Sequence, residues 1–246
     1  MRNTIVFIIA IVFLSSCMKE LGDDSITIPS NDTIPNITSN KGSILIDASR
    51  DGGGWWFPQA PPVFDATKDH QGTKLAVYLH NLGYKVVELG RGTVITKQIL
   101  EGNVLVVRAV GFGNYTADEL PAYDEYLKGN HALFLINDYL RGSNDNLAES
   151  LGLKFRGEYE GTLTLNSSHP ITQGTSSLPF IAGSLIFNPD KSKITVLGEF
   201  KDGQTSGVGM GILAHPTCKI FFIGDINGLE NAPQPLTRNI FNWLLH

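Results

Sequence analysis

From Gly42 onward the chain alternates two kinds of hydrophobic pattern. Short continuous apolar runs, "SILIDAS", "KVVEL", "VLVVRAV" and "ALFLIN", have the length and β-branched content of strands buried on both faces. Between them lie amphipathic segments. "KDHQGTKLAVYLHNLG" puts Leu75, Leu79 and Leu82 on one helical face, with Asp69 as the predicted cap; "TKQIL" is a short helical turn; "TADELPAYDEYLKGN" and "NDNLAESLG", closing on Gly152, are further helices. Apolar strands joined by helices predict an α/β domain with a mostly parallel sheet covered on both faces. From about Lys154 to Met210 the pattern changes. "GTLTLN", "LIFN", "KITVLGEF" and "GVGMGILAH" are Gly-punctuated strands without intervening helices, which predicts an antiparallel extension or sheet edge within the same domain. "KIFFIGDIN" then reads as a last strand and turn, and "PLTRNIFNWLLH" as a packing helix.

The first forty residues follow none of these patterns. "MRNTIVFIIAIVFLSSCMKE" has one cation at Arg2 and an apolar run from Ile5 to Leu14 that is too short to span a bilayer, which is the layout of a secretory signal. Leu14 to Cys17 resembles the lipobox of bacterial lipoproteins, which implies that residues 1–17 are a signal peptide and that Cys17 is lipidated and anchors the chain to a membrane. Residues 18–41 are polar, hold two prolines and lack periodicity, so they read as a flexible tether, leaving 42–246 as one folded domain. The acidic cluster behind Cys17 resembles the surface-export signal of Bacteroidota lipoproteins, and Asp24-Ser25-Ile26 and Asp32-Thr33-Ile34 resemble the O-glycosylation sites of those bacteria. The expectation is an outer-membrane lipoprotein of the cell envelope, with surface exposure left open.

Charge and cysteine content narrow the partners. The formal net charge is −5, and Lys and Arg are scattered rather than massed, which argues against nucleic acid. The two cysteines are Cys17 and Cys218; with the first lipidated no internal disulfide can form, and Cys218, at the start of an apolar strand, reads as a buried spectator thiol. No zinc-type spacing is present, and neither a metal nor another cofactor is expected, although the oxygens of Asp47, Asp51, Asp138 and Asp225 would suit Mg²⁺ or Ca²⁺.

The segments "ILIDASRDGGGWW", "HQGTKLAVYLHNLGYKVVEL", "YDEYLKGNHALFLIND", "NLAESLGLKF", "SSHPITQG" and "CKIFFIGDINGLEN" together resemble the class I glutamine amidotransferase-like superfamily, whose fold is a flavodoxin-like three-layer sandwich. The resemblance is nearest to its non-enzymatic branch, which includes gliding-motility and intraflagellar-transport proteins. In the enzymes of the superfamily the turn after the strand matching Ala132 to Asn137 holds a nucleophilic Cys activated by a His–Glu pair. Here that turn offers Asn137 or Asp138, and His169 and His215 are each followed by proline rather than by x-Glu. The expectation is a domain without amidase chemistry.

A parallel sheet still opens a crevice at the carboxyl ends of its strands. The strand ends supply Asp47, Arg50 and Asp51; Arg108; Asn137, Asp138 and Arg141; and Asp225 with Asn227. The loop after Asp51 adds Trp55 and Trp56, which serve either as a stacking platform in a ligand cleft, a glycan being one candidate, or as a lid folded onto the sheet. Three readings stand open: a binding or assembly domain without catalysis, a carbohydrate hydrolase using Asp138 and Asp225, and a structural partner of a membrane transporter or motility complex.

Overall fold

The computed structural model describes residues 41–50, 72–109, 113–139, 144–227 and 234–246. Cys17, Asp51, Trp55, Trp56 and Arg141, the signal and tether, and the predicted cap Asp69 lie outside the described residues.

Five short strands form a parallel half-sheet: β1 (Ser43–Asp47), β2 (Lys85–Leu89), β3 (Asn103–Arg108), β4 (Ala132–Ile136) and β9 (Lys219–Ile223), in the order β2-β1-β3-β4-β9. Their side chains alternate between two buried layers. Ile44, Ile46, Leu105, Val107, Phe134, Ile136, Phe221 and Ile223 pack with α1 (Thr73–Asn81) and the C-terminal helix α5 (Gln234–Leu245). Leu45, Val106, Leu133, Leu135, Ile220 and Phe222 pack with α2 (Lys97–Glu101), α3 (Leu120–Leu127) and α4 (Asn146–Ser150). Burial on both faces is why these strands are continuously apolar in sequence.

The helix ends follow local chemistry. Thr96 caps α2 by accepting the N–H of Ile99, and Asp145 caps α4 by accepting that of Ala148. Gly152, at φ +84°, closes α4 in a conformation that a side chain would strain. Helix α1 begins at Gly72 without a side-chain cap.

The other four strands are β5 (Phe155–Leu165), β6 (Ser177–Ile186), β7 (Ile194–Asp202) and β8 (Thr205–Leu213). They continue the same sheet from β9 as β9-β8-β6-β5-β7, and β7 pairs back onto β8. The expectation of a mostly parallel sheet is corrected here. Among the described residues the four parallel pairings are outnumbered by five antiparallel ones. The physical reason is connectivity: β5 to β8 follow one another with no α-helix between them, so no crossover returns the chain to a parallel position and neighbours pair antiparallel. The sheet is thus a single mixed α/β sheet.

Gly224 joins the halves. It exchanges backbone hydrogen bonds with Ser184 and Gly209. A Cβ there would lie 2.0 Å from the Ser184 carbonyl oxygen, so only glycine fits where β6 and β8 converge on the end of β9.

Candidate functional site

The order β1-β3-β4-β9 sets the carboxyl ends of four parallel strands in a row. Asp47 stands opposite Arg108 in the β1–β3 register. Asn137, Asp138 and Asp225 follow directly from β4 and β9, in which Ile136 pairs with Ile223. The sheet therefore brings together Asp47, Arg108, Asn137, Asp138 and Asp225 as the sequence predicted, but it gives most of them internal work.

Asp47 is fully buried. Its Oδ1 accepts the Ser49 N–H at 2.8 Å, and its Oδ2 accepts the hydroxyls of Tyr115, at 2.7 Å, and Tyr123. Burial first, and then the Asp47 charge, pushes both tyrosines well above the ordinary phenol range, so they stay donors. With three donors already on it, Asp47 is a scaffold carboxylate rather than a ligand for an incoming group.

Arg108 is likewise fully buried and pairs with Asp145. Burial works most strongly against its charge, but Asp145 together with Tyr115 and Tyr123 outweighs it, and the net shift is upward. Asp145 also accepts the Asn137 side-chain N–H at 2.8 Å while its other oxygen caps α4. One carboxylate therefore ties the ends of β3 and β4 to the start of α4. Arg50, placed in the cleft by sequence, is the arm of a second clamp. Its guanidinium holds Glu119, donates to the carbonyls of Ser49, Thr93 and Asn114, and lies 4.9 Å from the centre of the Tyr115 ring. Burial alone would raise Glu119. The N–H groups of Thr116 and Ile95 together with Arg50 hold it down instead, at about 2.

The described residues of the turn after β4, Asn137 to Tyr139, include neither Cys nor Ser, and neither Asn137 nor Asp138 has the positive φ of a strained nucleophile elbow. Asn137 is buried; its Oδ1 accepts the Asp138 N–H at 2.8 Å and lies 3.4 Å from the Ser184 hydroxyl. Asp138 is half-buried and accepts the Tyr139 N–H at 2.7 Å. Burial, opposed by that bond and reinforced by the charges of Asp225 and Glu158, lifts its carboxyl to about 7. Asp225 is buried and accepts the Ile181 N–H at 2.6 Å; Asn227 is half-buried two residues beyond it.

Tyr115, Glu119, Tyr123 and Asp145 organise this end of the sheet and were not singled out from the sequence. A signal for two of them was present: Asp145 stands at the start of the "NLAES" helix, and Tyr123 falls on its helix's apolar face, where a buried hydroxyl needs an acceptor. Cys218 is buried as expected at the opposite, amino end of β9, its thiol donating to the carbonyls of Leu127 at 2.9 Å and Gly129 at 3.0 Å; burial raises its pKa. His131 is half-buried and stacks on Tyr126 with ring centres 4.5 Å apart. No group of three His, Cys, Asp or Glu side chains converges on a possible metal position among the described residues.

No protein-family model matches the sequence, and no curated protein does. Solved structures do share the fold. The mmIFT52 N-terminal domain superposes with a TM-score of 0.58 at 15% identity, covering 82% of this chain and 97% of its own. A ThuA-like protein from Bacteroides uniformis gives 0.54 at 13% identity over 88% of this chain and 94% of its own. A GMP synthase-like protein from Thermoplasma acidophilum gives 0.52 at 17% identity over 83% and 92%. The chain therefore has a fold related to the glutamine amidotransferase-like and ThuA-like structures; at these identities the likeness extends to the fold alone.

Proposed function

We propose that this chain is a lipid-anchored protein of the bacterial envelope, held by Cys17, whose flavodoxin-like domain belongs to the non-enzymatic side of the amidotransferase-like superfamily and serves binding or assembly. The observation that carries this reading is the fate of the strand-end residues. Asp47, Arg108 and Asn137 are buried and committed to internal hydrogen bonds, and the turn after β4 holds Asn137 and Asp138 where a thiolate would have to stand. The lipobox-like Leu14 to Cys17 and the polar residues behind it support the anchor. The partner is an envelope protein or a glycan.

Two measurements test this together. The full chain should partition into the detergent phase, and Cys17→Ala should move it to the aqueous phase while leaving an uncleaved precursor; partitioning unchanged by the substitution refutes the anchor. The purified protein should release no ammonia from glutamine, and sustained release refutes the non-catalytic reading.

A hydrolase acting through Asp138 and Asp225 is the second reading. It is favoured by one feature: Asp138 stays protonated close to neutrality beside a buried carboxylate, the division of roles that glycoside hydrolysis requires of its acid and its partner. Turnover of p-nitrophenyl glycosides, abolished by Asp138→Asn, would establish it in place of the first.

A further inference from the structure

Beyond the ends of β4 and β9 the fully buried network gives way to partly exposed side chains at Asp138, Tyr139 and Asn227. Asp138 and Asp225 follow neighbouring parallel strands, two residues past the paired Ile136 and Ile223. Among the described residues, the charged groups that bear on Asp138 are both acidic: Asp225, buried in the turn after β9, and Glu158, exposed on β5. Next to Glu158, the ring of Tyr159 meets Phe187 edge to face at 5.8 Å. The strand partner of Tyr159 is Gly183, and the half-buried ring also meets Phe200 at 5.7 Å, leaving only part of it to solvent. Phe187, directly after β6, is 37% exposed, and Ile181, within β6 and with its N–H holding Asp225, is 40% exposed. Ala182 and Asn188 bracket the segment with φ of +57° and +48°, the two non-glycine positive values among the described residues. Strain of this kind persists where the surroundings hold a segment to one shape.

We propose that the ledge of Tyr159, Ile181 and Phe187, rimmed by Asp138 and Glu158 over the buried Asp225, docks a basic side chain carried on an apolar stretch of a partner protein. This rests on the reading of the domain as a binding module and names the chemistry of its partner. Charge complementarity selects the occupant. An anionic partner meets like charge, and an uncharged apolar one desolvates the carboxylates without compensation. A guanidinium or ammonium both stacks on an aromatic face and bonds the carboxylates, while flanking apolar residues cover Ile181 and Phe187. Such a cation also favours the ionised form of Asp138, so docking should release a proton and strengthen as the pH rises through about 7.

The probe is the peptide acetyl-Leu-Arg-Phe-Arg-Leu-amide, with citrulline replacing both arginines in the neutral control. Its binding to the full chain in detergent is followed by calorimetry at pH 6 and pH 8. The expected result is saturable binding about tenfold tighter at pH 8, since the ionised fraction of a group titrating near 7 changes by about that factor. The control should not bind, Phe187→Ala should weaken binding at least tenfold, and Asp138→Asn should abolish the pH dependence. Equal binding of the citrulline peptide, no saturable binding, or indifference to both substitutions overturns the proposal. Binding of a neutral oligosaccharide that needs Phe187, without any response to the basic peptide, overturns it too but leaves the binding-domain reading intact; glycoside turnover overturns that reading itself.

Discussion

Replacing Asp138 by asparagine removes a titratable group while keeping its shape, and the new side-chain oxygen can still accept the Tyr139 N–H now held at 2.7 Å. What disappears is the cost of placing a charge in a half-buried position facing Asp225 and Glu158. The carboxyl rises from an ordinary 3.8 to about 7 on folding. At 1.36 kcal/mol for each tenfold change in proton affinity that is about 4 kcal/mol, and allowing for solvent screening of a side chain that is not fully buried leaves about 2 kcal/mol. The direction follows from linkage. A carboxyl whose folded value is raised binds its proton more tightly in the folded state, so its favourable contribution is complete below 3.8 and is lost as the pH climbs through about 7. Asp138→Asn should therefore equal the wild type near pH 4 and exceed it by about 2 kcal/mol at pH 8. Urea unfolding at four or five pH values, with two probes to check a two-state transition, measures the difference. A variant no more stable than the wild type at pH 8, or one whose advantage grows on acidification, would refute the placement of Asp138 against Asp225.

The remaining predictions concern the groups that the fold uses internally. Asp145→Ala should cost about 3 to 5 kcal/mol, because it leaves the buried Arg108 without its carboxylate and uncaps α4, whereas Asp145→Asn should keep the cap and lose less; denaturation midpoints decide. Arg50→Met should cost about 2 to 3 kcal/mol, and it should raise Glu119 from about 2. Since the stability tied to a depressed carboxyl is present above its ordinary 4.5 and lost as the pH falls through about 2, the acid-unfolding limb of this variant should move toward neutral pH, and an unmoved limb contradicts the clamp. Cys218 should resist a thiol reagent in the folded protein and react fully in urea, since its sulfur is buried and bonded to two carbonyls; stoichiometric native labelling contradicts this.

What the amino-acid sequence determined by itself is whatever depends on neighbours along the chain. Ile44 to Ile46, Leu105 to Val107 and Leu133 to Ile136 are apolar on both alternations, which forces a strand with two covered faces, and "TKQIL" and "NDNLAESLG" carry their own caps. The burial of Cys218 was legible for the same reason. The tertiary structure alone decided the balance of the sheet, because the alternation at Leu178 and Phe180 marks β6 as a strand, while its antiparallel partners β5 and β8 are set by pairing between distant residues. It also decided which polar residues are free. Arg50 and Asp47 look like cleft residues from their position at a strand end, yet Glu119, Tyr115 and Tyr123 reach them from 69, 68 and 76 residues away. The ledge at Tyr159 and Phe187 escaped notice for the same reason: its acidic rim comes from β4 and β5, and its support comes from the turn after β9. A hydrogen bond or a shared field acts through a few ångströms of space, and only the folded chain decides which distant residues come within that reach.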